Sequence, residues 1–404
     1  MTKGIIVFAV IAIMIISIFV SIQKLDTSNV VSQGLIESSQ VVNGKVWIEV
    51  ANNAWNYFQP SVGVDPNTGL PYAGGTDFTG FTYWDLGVYV QAVIDAQKLG
   101  LVSTDGVWGS FSRFDKVLTF LETCQLNNEG YPYQFYQAKD GKVYHPPSEA
   151  NETYDVVDIG RLFVALNNLR NFDSNLADRI NDIVLNGRSN FTTLASNVKN
   201  DANSNSIYTY FFDSGFASFW PQQIGNVPSE ILANLVNSQN VTTYDVQLPN
   251  APISCDPLLC SVFELNNNDS RLLALTSQVY LAHDAYYNAT GKFAAFSEGS
   301  SPSNGYIWEW VTTGNGDTWK ITSGGNSYVN IDPVVFNKVA FSFLALYNTT
   351  FARNTLIYLE QQLPAPTNGY SDGADNSGNL VRGTGSSTNG LILDAAQYAL
   401  QNNP

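Results

Sequence analysis

Residues 76–100 read TDFTGFTYWDLGVYVQAVIDAQKLG, and residues 153–169 repeat their plan as TYDVVDIGRLFVALNNL. Both stretches carry Asp-(Leu/Ile)-Gly, at Asp85-Leu86-Gly87 and Asp158-Ile159-Gly160. In each, an aromatic and polar loop runs into an acidic residue, and apolar residues at helical spacing follow. A carboxylate in the first turn complements the positive end of the helix dipole and faces whatever lies beyond that end. Several such helices starting at one rim would bring their acidic first turns to a common surface.

Working outward, the spacing predicts eleven or twelve helices. They include 46–58, 84–99, 115–124, 155–168, 174–186, 258–265, 271–288, 334–347, 351–362 and 388–401. Asp256-Pro257 and Asp332-Pro333 read as helix starts, with Asp as N-cap and Pro in the first helical position. Tyr208 to Phe212 reads as a short strand, and Asp140-Gly141 as a hairpin turn. Two long Gly-rich loops, 299–331 and 364–388, are candidates for functional loops. The pattern is that of an all-α chain with one domain over 44–404. It is preceded by a membrane or signal segment at 1–24 and a Ser/Val/Gln-rich linker at 25–43.

Gly4 to Ile22 is free of charge. Its nineteen residues would span about 28 Å as a helix, which matches the apolar thickness of a bilayer. It reads as an uncleaved anchor or a cleaved signal peptide. Six N-x-(S/T) sequons, at Asn151, Asn190, Asn240, Asn268, Asn288 and Asn348, favour an outward-facing domain and a glycoprotein. The expected location is the cell surface, tethered by the N-terminal helix, or the exterior if that segment is removed.

Charged residues make up only 13% of the chain and the formal charge is −16, which argues against nucleic acid as a partner. With two histidines, a histidine-based zinc site is not expected. No metal or cofactor is called for. Cys255 and Cys260 either close a small disulfide or, with Cys124, stay as buried thiols.

Several landmarks resemble a prokaryotic family whose domain is of unknown function. They are TGFTYWDLGVYVQAV at 79–93, YDVVDIGRLFVAL at 154–166, DSGFASFW at 213–220, TGKFAAFSEG at 290–299, FNKVAFSFLALY at 336–347 and STNGLILDAAQYAL at 387–400. That family is similar to the glucoamylase-like (α/α)6-toroid glycoside hydrolases. The resemblance implies a toroid of six helical hairpins, with loops and short β-hairpins at one rim lining a cleft. This chain departs from the family's pattern at Asp256 and Asp394, where Glu is usual.

A glycoside hydrolase needs a carboxylic acid to protonate the leaving oxygen and a second carboxylate as base or nucleophile. The resemblance implies the inverting route. Glu298, beside aromatic residues, is the candidate acid, and Asp85 or Asp158 the base. Asp256, Glu309 and the aromatic residues Tyr83, Trp84, Tyr131, Tyr133, Trp308 and Trp310 are candidate substrate contacts, because flat rings grip sugars at little entropy cost. The expected partner is an oligo- or polysaccharide. The competing reading is a glycan-binding or cell-envelope structural protein without catalysis.

Overall fold

The computed structural model of the chain describes residues 34–39, 41–75, 77–144, 154–265, 267–324 and 327–402. The expected membrane segment Gly4–Ile22, most of the linker, His145 and the sequon at Asn151 lie outside the described residues. Among the described residues, no helix is long and apolar enough to cross a membrane.

Outer and inner helices alternate along the chain. The first pair is α1 (Gly44–Trp55, outer) and α2 (Tyr83–Lys98, inner), and the second is α3 (Ser110–Thr123) and α4 (Val156–Phe172). The third runs from α5 (Ala177–Leu185) through α6 (Phe191–Val198) to α7 (Ile207–Phe219). The last three pairs are α8 (Val227–Val236) with α9 (Cys255–Glu264), α10 (Ser270–Thr290) with α11 (Asn337–Tyr347), and α12 (Thr350–Gln362) with α13 (Ser386–Asn402).

The two sets differ in burial as their sequences require. α1 buries Val46, Trp47, Val50, Ala51, Ala54 and Trp55, a single stripe at helical spacing. α2 buries every residue from Tyr83 to Ala96, as a helix packed on all sides must. The inner helices touch in the order α2, α4, α7, α9, α11, α13, and α13 returns to α2, so the ring closes. Because an outer helix carries the chain back each time, all six inner helices described here start at the same rim.

The glycine of the repeated Asp-x-Gly unit is explained by this closure. A Cβ on Gly87 would lie 3.0 Å from the Leu162 backbone, and one on Gly160 would lie 2.5 Å from Phe212. A Cβ on Gly215, in the third such unit (Asp213-Ser214-Gly215), would meet the Gly160 carbonyl oxygen at 2.1 Å. Neighbouring inner helices therefore approach backbone to backbone, and only glycine permits it.

Inside the ring, Arg161 donates a 2.7 Å hydrogen bond from Nη2 to Glu264 Oε1, and its Nη1 forms an ion pair with Oε2 at 2.7 Å. Asn168 links Glu264 to Gln91, and Gln91 donates to Asp95. Asp394 completes the group, its carboxyl held well above the usual range by burial and by Glu264 and Asp95.

β-Structure is more extensive than short hairpins. β1 (Gly80–Phe81) pairs with β2 (Tyr136–Gln137), and β3 (Asn240–Thr243) with β4 (Val246–Pro249). β5 (Pro252–Ile253), β6 (Glu298–Ser301), β7 (Gly305–Thr313), β8 (Thr318–Ser323) and β9 (Ser327–Tyr328) form one antiparallel sheet around β7. β10 (Val334–Phe336), β11 (Ser371–Asp375) and β12 (Leu380–Thr384) form another. The segment 299–331, expected as a loop, is thus largely strand, and 364–388 carries the hairpin β11–β12.

Three local expectations are corrected. Tyr208 to Phe212 is helical, in α7; a run of five residues this rich in aromatics is too short for its periodicity to separate helix from strand. Asp332-Pro333 does not start a helix: Val334–Phe336 is a strand and α11 begins at Asn337, since a residue before proline is driven to extended backbone and β-branched valines follow. Ser254 holds the N-cap position of α9 without a side-chain capping bond, and Asp256 falls in the first turn rather than at the cap.

Candidate functional site

The starting ends of the inner helices share one rim, the mouth of the ring, and the β6–β7 hairpin meets it where Tyr208, in the first turn of α7, donates to Glu298. Asp85 is in the first turn of α2. Its Oδ2 accepts the Thr82 backbone N–H (3.0 Å) in a capping box, and its Oδ1 accepts the Ser386 hydroxyl (2.6 Å) from the start of α13. Both oxygens are occupied in tying two inner helices together.

Asp158 is in the first turn of α4. Asp155 caps that helix through the Val157 N–H (2.8 Å), which leaves Asp158 free of that task. It is half-buried and faces the Thr82 side chain. Burial, then the nearby charges of Asp155, Asp85 and Glu298, hold its carboxyl well above the usual range.

Glu298 opens β6 and is 6% exposed. The Tyr208 hydroxyl donates to its Oε2, and Tyr306 lies beside it. Burial and Asp256 push its carboxyl up to about 7, against the lowering effect of Lys338 and the two phenols. The charge of Glu298 is one of those that raise Asp158.

Asp256 is saturated. It forms an ion pair with Lys338, accepts Ser297 and Ser387 hydroxyls at 3.4 Å each, and faces the Cys260 thiol at 3.6 Å. Asp372, on β11, accepts the Thr388 hydroxyl (2.6 Å) and is raised by burial.

On β7, side chains alternate between faces. Tyr306, Trp308 and Trp310 share the partly exposed face, with Glu298 directly across from Trp308. The Trp310 ring lies 5.9 Å from Tyr208, the donor to Glu298, so this stripe borders the carboxylates. Glu309 points to the opposite face. It is fully buried and accepts the Val334 N–H (2.8 Å) and the Ser297 N–H (3.4 Å), so it is a packing residue and not a substrate contact.

Four further aromatic candidates are taken up by packing contacts. Tyr83 packs on Tyr136 with its hydroxyl 3.5 Å from the Cys124 sulfur. Trp84 is held between Phe211 and Arg161 in the ring interior. Tyr131 is buried on Tyr154, and Tyr133 is anchored through its backbone to Tyr136. Cys255 and Cys260 are free, buried thiols. Five residues apart on one helix, they point to different faces and cannot bond. The five described sequon asparagines are exposed.

Sequence reasoning missed Lys338, Tyr208, Asp372 and the serine pair Ser386-Ser387. A lone lysine in the apolar run NKVAFSFLALY was the available signal. Tyr208 was hidden by the strand reading.

The chain matches the family described as "Protein of unknown function (DUF3131)" over residues 49–201 and 224–402, and belongs to it. No curated protein matches. Among solved structures, the chain is similar to an endo-β-1,2-glucanase from Chitinophaga pinensis, in complex with sophorotriose and glucose. The TM-score is 0.63 at 13% identity, over 90% of this chain and 94% of that one. It is also similar to an endo-β-1,2-glucanase from Talaromyces funiculosus in complex with sophorose (TM-score 0.59, 11% identity, 87% and 83%) and to the Hormoconis resinae glucoamylase (TM-score 0.51, 12%, 88% and 73%). The likeness establishes the glucoamylase-like toroid fold.

Proposed function

We propose that this member of the family is an extracytoplasmic glycoside hydrolase that cleaves a neutral glucan or surface glycan by inversion. Glu298 is the general acid and Asp158 the base. The observation that carries this reading is the pairing of two carboxyls with opposite surroundings at one mouth. Glu298 is buried beside an aromatic stripe on which a sugar can stack. Asp158 keeps part of its surface exposed and is free of capping. Keeping the proton on Glu298 removes one of the negative neighbours that hold Asp158 up, so one proton serves the pair.

Asp85 is given a positioning role, because both its oxygens are committed to the helix starts. Asp256 is excluded from the reaction by its ion pair and hydroxyl donors. The fold shared with the two β-1,2-glucanases supports a glucan partner. The charge-free segment at Gly4–Ile22 and the exposed sequons support an outward-facing, membrane-tethered domain.

The test is incubation of the purified chain with a panel of neutral glucans, followed by reducing-end assay and proton NMR of the first anomer released. New ends with the inverted anomer support the proposal. Retention of glycan without cleavage supports the binding-protein reading, for which the saturation of Asp85 and Asp256 speaks.

A further inference from the structure

Lys338 stands in the first turn of α11 and is 1% exposed. Three costs weigh on it there. A buried ammonium needs partners, a cation is disfavoured at a helix start, and no other residue of the helix is charged. Its partners answer each cost. Nζ forms an ion pair with Asp256 and lies 3.1 Å from the Ser387 hydroxyl, and Glu298 and Asp372 are the next charges around it.

We propose that Lys338 is a positioning residue that sets the charge of the mouth: its ammonium locks Asp256 out of the reaction and governs when Glu298 holds its proton. This rests on the reading of Glu298 as the acid. The groups facing Glu298 are Asp256 from α9, Lys338 from α11, Tyr208 from α7, Tyr306 from β7 and Asp158 from α4. Among these only Lys338 is cationic. Asp256 favours the protonated form of Glu298, whereas the ammonium and the phenols favour the carboxylate; Ser297, next to Glu298 in the chain, donates to the same Asp256 oxygen that pairs with Lys338, which ties the three groups together. Asp256 partly neutralises Lys338, so the pair acts as a graded control on Glu298.

The test is a carbon NMR titration of the full chain labelled at glutamate carboxyls, with the Glu298 signal identified by its loss in Glu298→Gln. Lys338→Met moves the midpoint up by about one pH unit or more. Lys338→Arg, which keeps the charge, restores it. Asp256→Asn, which frees the ammonium and deletes a negative neighbour, moves it down. This last variant carries the test should Lys338→Met not fold. A midpoint unmoved or lowered in Lys338→Met, or unmoved or raised in Asp256→Asn, overturns the proposal. Glycan cleavage is measured on the same samples. If the variants show these shifts but the wild-type chain cleaves nothing, the hydrolase reading falls and only the control of the Glu298 proton by Lys338 stands. A chain that cleaves without the shifts removes the role of Lys338 alone.

Discussion

Replacing Gly215 by alanine tests the ring directly. Alanine is the better helix former by about 1 kcal/mol, so by local propensity α7 should gain. The new Cβ, however, would lie 2.1 Å from the Gly160 carbonyl oxygen, where ordinary contact begins at 3.4 Å. The helices would have to separate by the difference, 1.3 Å. The opposing atoms are backbone, with no flexible side chain to give way, and Gly160 is itself pressed against Phe212. Overpacking of this kind costs about 3 kcal/mol at the upper end of its usual range. Net of propensity, the variant should lose about 2 kcal/mol. Urea unfolding followed by far-UV circular dichroism reads this out. Gly324→Ala serves as the control, because nothing lies within 4 Å of its Cβ position. A Gly215→Ala protein as stable as wild type would mean that α4 and α7 do not meet at these glycines, and the ring packing described above would be wrong.

Other consequences follow from the buried acids and the mouth. Asp213 is fully buried, its oxygens make no hydrogen bond among the described residues, and burial lifts it from 3.8 to about 8. The folded state therefore holds this proton longer than the unfolded chain, so its stabilisation is present below about pH 4 and is lost as pH rises to about 8, at roughly 1.4 kcal/mol per pH unit. Asp213→Asn should flatten that decline in thermal melts between these limits; an unchanged slope would contradict it. Trp308→Ala should weaken oligosaccharide binding by about tenfold, or ~1.4 kcal/mol, in calorimetry, whereas unaltered affinity would remove the aromatic stripe from the binding surface. Thiol titration of the unfolded chain without reductant should count three free cysteines, and reductant should leave the melting temperature unmoved.

Much of this architecture was legible in the chain. The Asp85 and Asp158 units marked two inner helices and their common rim, because first-turn carboxylates and glycine at helix crossings are local requirements. What stayed hidden was set by distant partners. Nothing around Glu309 tells that β7 turns it inward while Trp308 and Trp310 face out, since one residue of register decides it. The aromatic run at Tyr208 reads equally as strand or buried helix. Lys338 looked out of place in an apolar helix, but its partner Asp256 lies 82 residues away. The cysteines were near in sequence, and helix geometry alone keeps them apart.

The most direct test of the central claim is the initial rate of reducing-end release from the neutral glucan of the panel that the wild-type chain cleaves fastest, compared between the wild-type chain and Glu298→Gln. Loss of the acid should lower the rate by about a hundredfold to ten-thousandfold with the fold intact. A Glu298→Gln protein that cleaves at the wild-type rate would show that the proton comes from another group, and the acid assigned to this mouth would be wrong.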